Sequence, residues 1–228
     1  MAQPTPPDPS SPVPAPRPRH GEQCDLPGIG VLGGTFDPPH ASHRRLAETA
    51  LRTLPIDRLL VIPAGDHPHK QHRGVTPAAD RLAMCKLAFA DLAGAVVDDR
   101  EVRRGGLSFT VDTLADLRRE HPGRRLYFLI GSDNLPLLPS WRDHHRILAL
   151  ATIVTYPRGG HPIDAAALTD LDLNDDERRS LLAHRLDMPA DDVSSTAVRA
   201  ALRAGKSTVD GLPATVAQYA AAHGLYRA

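Results

Sequence analysis

Two histidines three positions apart, His40 and His43, stand directly behind the run Gly33-Gly34-Thr35-Phe36-Asp37-Pro38-Pro39. Glycine has no β-carbon to hold a ligand off, so backbone N–H groups at Gly33 and Gly34 are open to close approach. Pro38 suits the first turn of a helix, and Asp37 before it has the chemistry of an N-cap. The spacing then predicts that both imidazoles share one helix face. An apolar strand, a glycine turn and a helix N-terminus together describe an anion site. Two ring N–H donors at the positive end of a helix dipole suit a phosphate chain.

Other segments carry compatible groups. Pro63-Ala64-Gly65-Asp66-His67-Pro68-His69-Lys70 ends in a mobile cation that can serve a triphosphate. Ser194-Ser195-Thr196-Ala197-Val198-Arg199 reads as a second capped helix start, with Arg199 on the face of Ser195 and Thr196. Trp141 is the single tryptophan and follows Gly131-Ser132-Asp133-Asn134, so its ring could stack on a planar heterocycle. Asp133 could accept hydrogen bonds from ribose hydroxyls. Arg104-Gly105-Gly106-Leu107-Ser108-Phe109-Thr110 opens another helix and offers amides to a carboxylate.

The histidine pair has two further readings. His67, His69 and His72 could join it around a metal, or the rings could simply occupy a helix surface. The glycine turn favours phosphate, and no metal ligand set is assigned. A literal Gly-x-Gly-x-x-Gly at Gly28, Gly30 and Gly33 suggests a dinucleotide fingerprint. That motif needs a strand before its first glycine, whereas here the apolar residues Ile29, Val31 and Leu32 lie among and beside the glycines.

The elements that must position these groups alternate. Apolar runs at 29–32, 59–62, 95–97, 126–130 and 153–155 read as buried parallel strands. Helical patterns cover 42–54, 77–92, 110–120, 141–150, 196–204 and 213–223, while 158–178 reads as a loop with at most a short helix. The expected fold is α/β: a doubly wound, Rossmann-like parallel sheet with helices on both faces. Ligands of such sheets lie beyond the carboxyl ends of the strands, which would gather the segments at 33–43, 63–70, 131–133 and 194–199 on one rim.

Composition sets the outer limits. The chain has 228 residues, and its 27 Lys and Arg balance 27 Asp and Glu, which argues against a nucleic-acid partner. Cys24 and Cys85 form neither a zinc spacing nor a disulfide framework, and Cys85 reads as a core residue. No apolar run approaches the roughly 18 residues of a spanning helix, so no membrane partner and a cytoplasmic setting are expected. Residues 1–26 are proline-rich and read as a disordered tail ahead of one catalytic domain at 27–228; homo-oligomerisation is left open.

Taken in order, these motifs resemble the bacterial nicotinate-mononucleotide adenylyltransferases of the nucleotidylyltransferase superfamily, from about Gly30 to Tyr226. Gly-Gly-Thr-Phe-Asp-Pro-x-His-x-x-His is matched at 33–43, Pro-His-Lys at 68–70 and Ser-Ser-Thr-x-Val-Arg at 194–199. The stretches Ser108 to Leu114, Gly131 to Trp141 and His223 to Tyr226 are similar to further family segments. The chain departs from the pattern at Ser42, where a glycine is usual, at His67, where a proline is usual, and at Arg142, where some relatives have an aromatic.

The resemblance implies transfer of AMP from ATP to nicotinate mononucleotide with Mg²⁺, as a step of NAD biosynthesis. It implies that His40, His43, Lys70 and Arg199 act on the ATP phosphates. Gly33, Gly34, Thr35, Phe36, Ser194, Ser195 and Thr196 would complete the ATP site. Asp37, Lys70, Thr110, Val111, Asp133, Trp141 and Arg142 would hold the acceptor, with Trp141 stacked on the pyridine ring. The alternatives are another nucleotidylyltransferase, such as a phosphopantetheine adenylyltransferase, and a nucleotide-binding module without catalysis.

Overall fold

The computed structural model describes residues 26–65, 74–189, 193–206 and 208–227. Its centre is a parallel sheet of β1 (Gly28–Gly34), β2 (Ile56–Pro63), β3 (Ala95–Val97), β4 (Leu126–Gly131) and β5 (Thr152–Tyr156), in the order β3-β2-β1-β4-β5. All four pairings are parallel. The five apolar runs of the sequence are therefore the five strands, each reaching at most a few residues further than the apolar pattern. Polar residues such as Asp57 and Arg58 carry no hydrophobic signal, yet both lie within β2; Arg58 pairs with Ile29, and the register shifts at Asp57.

Successive strand side chains point to opposite faces, and each face has its own apolar core. Ile29, Val31, Phe128, Ile130 and Ile153 lie on one side with Leu114 and Leu117 of α4 (Thr110–Glu120) and Ile147 of α5 (His144–Leu150). Leu32, Val61, Leu129 and Val154 lie on the other, against α1 (Ala41–Thr53), α2 (Ala78–Ala88) and α9 (Ala214–Ala222). Cys85 is part of this second core, as its sequence context predicts.

The tempting glycines of β1 are explained by packing. A β-carbon on Gly30 would meet Leu59 Cδ1 at 2.5 Å, and one on Gly28 would meet Tyr127 Cε2 at 2.5 Å. Both sit inside the strand, which is why they form no nucleotide fingerprint.

Several helix boundaries differ from the sequence pattern. Pro38 does not open α1; the Asp37–Pro38 peptide is cis, and His40 is the N-cap instead of Asp37. The pattern at 77–92 ends at Ala88, where Phe89 caps α2. The segment expected at 141–150 begins only at His144, because a 3₁₀ run with Pro136 and Pro139 occupies Ser132–Ser140 and Asp143 turns left-handed (φ 52°). Within 158–178 the chain forms α6 (Ala165–Leu168) and starts α7 (Asp175–Ala183).

The start of α7 had a readable signal, the capping box Asn174-x-x-Glu177. Its two reciprocal bonds are present at 2.9 and 2.8 Å. A short α3 (Arg100–Arg104) follows β3, and α8 (Ser195–Arg203) precedes α9. Among the described residues no helix is long and apolar enough to cross a membrane.

Candidate active site

The order of strands places the crevice. From β1 the chain winds outward through β2 and β3, then returns to lay β4 against the other edge of β1. The loops after β1 and β4 therefore diverge at a topological switch point, where doubly wound sheets hold their ligands. Gly33, exposed at the end of an otherwise buried strand, opens this crevice on the β1 side. Gly131 ends β4 on the other, and a β-carbon there would fall 2.3 Å from Asp133 Oδ1.

His40 and His43 occupy the N-cap and third positions of α1, with ring centroids 3.8 Å apart. The backbone N–H of His40 donates to Nδ1 of His43 at 3.2 Å. That contact assigns the proton of a neutral His43 ring to Nε2, the tautomer suited to donate to a ligand. Burial, and then the positive charge of Arg158, lower the pKa of His40 to about 4. Burial, His40 and Arg158 hold His43 well below the usual histidine range. Both rings are thus neutral donors at physiological pH. His40 is only 2% exposed, and its Nδ1 has no hydrogen-bond partner among the described residues.

Phe36 forms the back wall. It is buried, has left-handed backbone (φ 52°), and packs its ring 4.8 Å from that of His43 and 6.3 Å from that of Phe89. Any contact of Phe36 with a ligand is therefore through its backbone. Asp37 is also enclosed, at 4% exposure. Its Oδ1 accepts from the Tyr226 hydroxyl at 2.7 Å, and its Oδ2 accepts from the Thr76 N–H at 3.4 Å. These bonds tie the Asp37 carboxylate into the loop between Thr76 and Tyr226.

The Ser194–Arg199 segment reaches the same loop from the far end of the chain. Ser195 donates to the carbonyl of Pro38 at 3.0 Å, and Arg199 donates to the carbonyl of Asp37 at 2.7 Å. Arg199 also reaches the Thr196 hydroxyl at 3.3 Å. Ser194 caps α8 by accepting from Ala197 N–H at 3.2 Å. Ser42, the departure from the glycine pattern, fits the same seam and donates to the carbonyl of Val193 at 3.4 Å.

A second group of expected residues lies along the α4 side. Thr110 and the buried Val111 open α4, while Trp141 is half-buried with its ring 6.2 Å from that of Phe128, edge to face. Exposed Arg142 holds its guanidinium 4.8 Å over the Phe109 ring and touches Asp112 Oδ2 at 3.4 Å. Asp133 sits between the two groups, 3.9 Å from Arg158 Nε. Lys70, with His67, His69 and His72, lies outside the described residues.

Two arginines were not read from the sequence. Arg158, just past β5, donates its backbone N–H to Ser132 Oγ at 2.9 Å and acts electrostatically on both histidines. Its signal was available, because the switch-point rule applies to the end of β5 as it does to β1. Arg81 of α2 is 2% exposed and clamps three carbonyls, those of Thr35 at 2.7 Å, Gly65 at 2.7 Å and Thr76 at 2.9 Å. It joins the loops after β1 and β2. A single arginine in a helix reads as solvated, so nothing in the sequence marked it.

Comparison with known proteins follows the same line. Residues 31–201 match the family model described as Cytidylyltransferase-like. A "Probable nicotinate-nucleotide adenylyltransferase" of Albidiferax ferrireducens is 43% identical over 199 residues, covering 87% of this chain and 98% of that one. One of Gemmatimonas aurantiaca is 40% identical over 200 residues, covering 87% and 92%.

The chain belongs to the nicotinate-nucleotide adenylyltransferase family.

Among solved structures, Plasmodium falciparum nicotinic acid mononucleotide adenylyltransferase complexed with NaAD superposes with a TM-score of 0.69 at 18% identity, covering 88% of this chain and 98% of that one. The likeness at that identity is one of fold, and it spans the whole adenylyltransferase core described above.

Proposed function

We propose that this crevice transfers AMP from ATP to nicotinate mononucleotide, giving nicotinate adenine dinucleotide and pyrophosphate for NAD biosynthesis. The reading rests above all on one observation. Two neutral imidazoles at the N-terminus of α1 and the guanidinium of Arg199 are wired to the same Asp37–His40 loop. Donors so placed suit a polyphosphate.

In the reaction, a phosphate oxygen of the mononucleotide bonds to the α-phosphorus of ATP. The bond from that phosphorus to the bridging oxygen breaks, and pyrophosphate leaves with the electron pair. A phosphomonoester is largely dianionic at neutral pH, its second pKa being about 6, so no strong base is required. Catalysis comes from alignment and from neutralising charge on the leaving group. His40 and His43 donate N–H groups to the phosphates, and Arg199 adds fixed positive charge. Gly33, Gly34, Thr35 and Phe36 offer backbone donors, and Thr196 assists with its hydroxyl. Ser194 and Ser195 keep α8 in place. Arg158 adds a further cation between the histidines and Asp133.

Mg²⁺ would accompany ATP as its complex. It is a hard cation bound mainly through phosphate oxygens and water, which suits a rim whose cationic and N–H groups face the polyphosphate. When bound, it screens the charge of the departing pyrophosphate.

At the other end, Trp141 stacks on the pyridine ring and Asp133 accepts from ribose. The amides of Thr110, Val111 and Arg142 hold the nicotinate carboxylate, so an amide in its place would be poorly matched. The test is pyrophosphate release from ATP with nicotinate mononucleotide, nicotinamide mononucleotide or phosphopantetheine as acceptor. The first is expected to be used best. Binding of ATP with turnover of none of the three would instead make the chain a nucleotide sensor.

A further inference from the structure

Away from the rim, His144 and His145 open α5 opposite Asp172, which lies in the link between α6 and α7. The two rings lie 4.0 Å apart by centroid. Asp172 Oδ2 is 3.7 Å from Nε2 of His144 and 3.7 Å from Nε2 of His145. We infer that these three residues form a binding site for a borderline transition-metal dication, of the zinc or nickel class, distinct from the Mg²⁺ that accompanies ATP.

Distances carry the argument first. Zinc bonds to imidazole and carboxylate are about 2.0–2.2 Å, which puts tetrahedral ligand atoms about 3.3–3.5 Å apart. The two separations of 3.7 Å from Asp172 need a contraction of only a few tenths of an ångström, within the reach of that exposed side chain; the three ligand atoms all lie within 4.8 Å of one another, so the histidine rings close on the cation by the remainder. Two imidazole nitrogens with one carboxylate oxygen suit zinc or nickel and fail the all-oxygen preference of Mg²⁺.

The groups behind the ligands are independently placed for the same task. Glu177 Oε1 lies 2.9 Å from Nδ1 of His145 and accepts a hydrogen bond from its N–H, so that Nε2 is the nitrogen left to offer a lone pair to a cation. A carboxylate behind a ligating histidine orients the ring and raises its basicity. Glu177 is itself fixed, because its other oxygen accepts from the Asn174 backbone in the capping box of α7.

His144 Nε2 lies 2.8 Å from the carbonyl of Asp172, so without metal it donates its proton there. Uptake of the cation moves that proton to Nδ1 or to solvent. The carbonyl oxygen is then left near the distance of a fourth ligand. Such a cation ties the start of α5, three residues beyond Trp141, to the α6–α7 link.

An ion pair between His145 and its carboxylates is the competing account, and metal titration separates the two. The full chain, stripped with a chelator, is titrated with Zn²⁺ against a chromogenic chelator in excess Mg²⁺. Because the sequence has 12 histidines, His145→Ala, Asp172→Asn and His43→Ala are titrated beside it. The expected result is one saturable site, weakened about tenfold or more in His145→Ala and Asp172→Asn and retained in His43→Ala. Zn²⁺ should also raise the Tm of the parent chain and of His43→Ala, but not of the other two. Metal-free Tm values show whether each variant is folded, and the exposed Asp172→Asn change keeps the test open if His145→Ala is not. No saturable uptake, equal affinity in all four proteins, or loss that follows His43→Ala would each overturn the site.

Discussion

The two ends of the crevice are built differently. At the phosphate end side chains are tied to other parts of the chain: Arg199 to the Asp37 carbonyl, Ser195 to the Pro38 carbonyl, Tyr226 to the Asp37 carboxylate, Arg81 to three carbonyls. At the acceptor end, exposed Arg142 touches Asp112 at 3.4 Å and rests on one aromatic face. Phosphates are alike in every nucleotide and reward donors fixed in advance. An aromatic base and a carboxylate distinguish one acceptor from another, and that end keeps side chains free to close on them. Rigidity sits where the chemistry is generic, and adaptability where the choice is made.

The contrast can be broken at either end. The largest effect is expected from His43→Ala, which should lower turnover at least ~10²-fold with little change in Tm, as loss of a preorganised donor does. A fall in Tm as severe as the fall in rate would make His43 part of the scaffold. Next comes Arg81→Met, which leaves the buried Gly65 carbonyl and the half-buried carbonyls of Thr35 and Thr76 without this donor. Urea unfolding should register a loss of about 2 kcal/mol or more. An unchanged midpoint would mean that the two loops are held without the clamp.

The acceptor end should respond in affinity rather than in rate. Trp141→Ala should raise the acceptor KM by roughly three- to tenfold, the scale of one aromatic stacking contact, and leave the ATP KM nearly alone. Equal changes in both would remove the stacking assignment and, with it, the division of the crevice into two ends.

Acidification acts on the phosphate end in the ligand-free protein. His40 has the ordinary histidine pKa near 6.5 when unfolded, and burial lowers it to about 4 when folded. The unfolded chain therefore binds more protons between those values, so stability present above pH 6.5 is lost as pH falls toward 4. The loss should be roughly 1 kcal/mol per pH unit within that window and smaller in His40→Asn.

The smallest effect is expected at Glu101, whose pKa is raised because burial outweighs its hydrogen bonds from Thr113 and Ser108. A raised carboxyl binds its proton more tightly when folded, so the folded state gains as pH falls. Glu101→Gln should hold or slightly raise the Tm at neutral pH. A marked fall would show that the charge itself is needed there.

These contrasts also explain what could be read from the sequence. Strands are legible because burial on both faces leaves an unbroken apolar run, as at 126–130. The histidine pair and Arg199 are legible because helix starts carry their own chemistry. The start of α1 was misplaced because two prolines resemble a helix opening when the chain is in fact still turning, and Asp37 looked like a cap when its partners lie at positions 76 and 226. Arg81 and Tyr226 act through tertiary hydrogen bonds to distant segments, and no local pattern encodes a partner so far along the chain.

That last bond has a consequence for how the molecule becomes competent. Tyr226 meets Asp37 across 189 positions, so the nucleotide loop is among the late parts to be made taut. All five strands are complete by Tyr156, yet a polypeptide lacking position 226 would leave the Asp37 carboxylate without this partner.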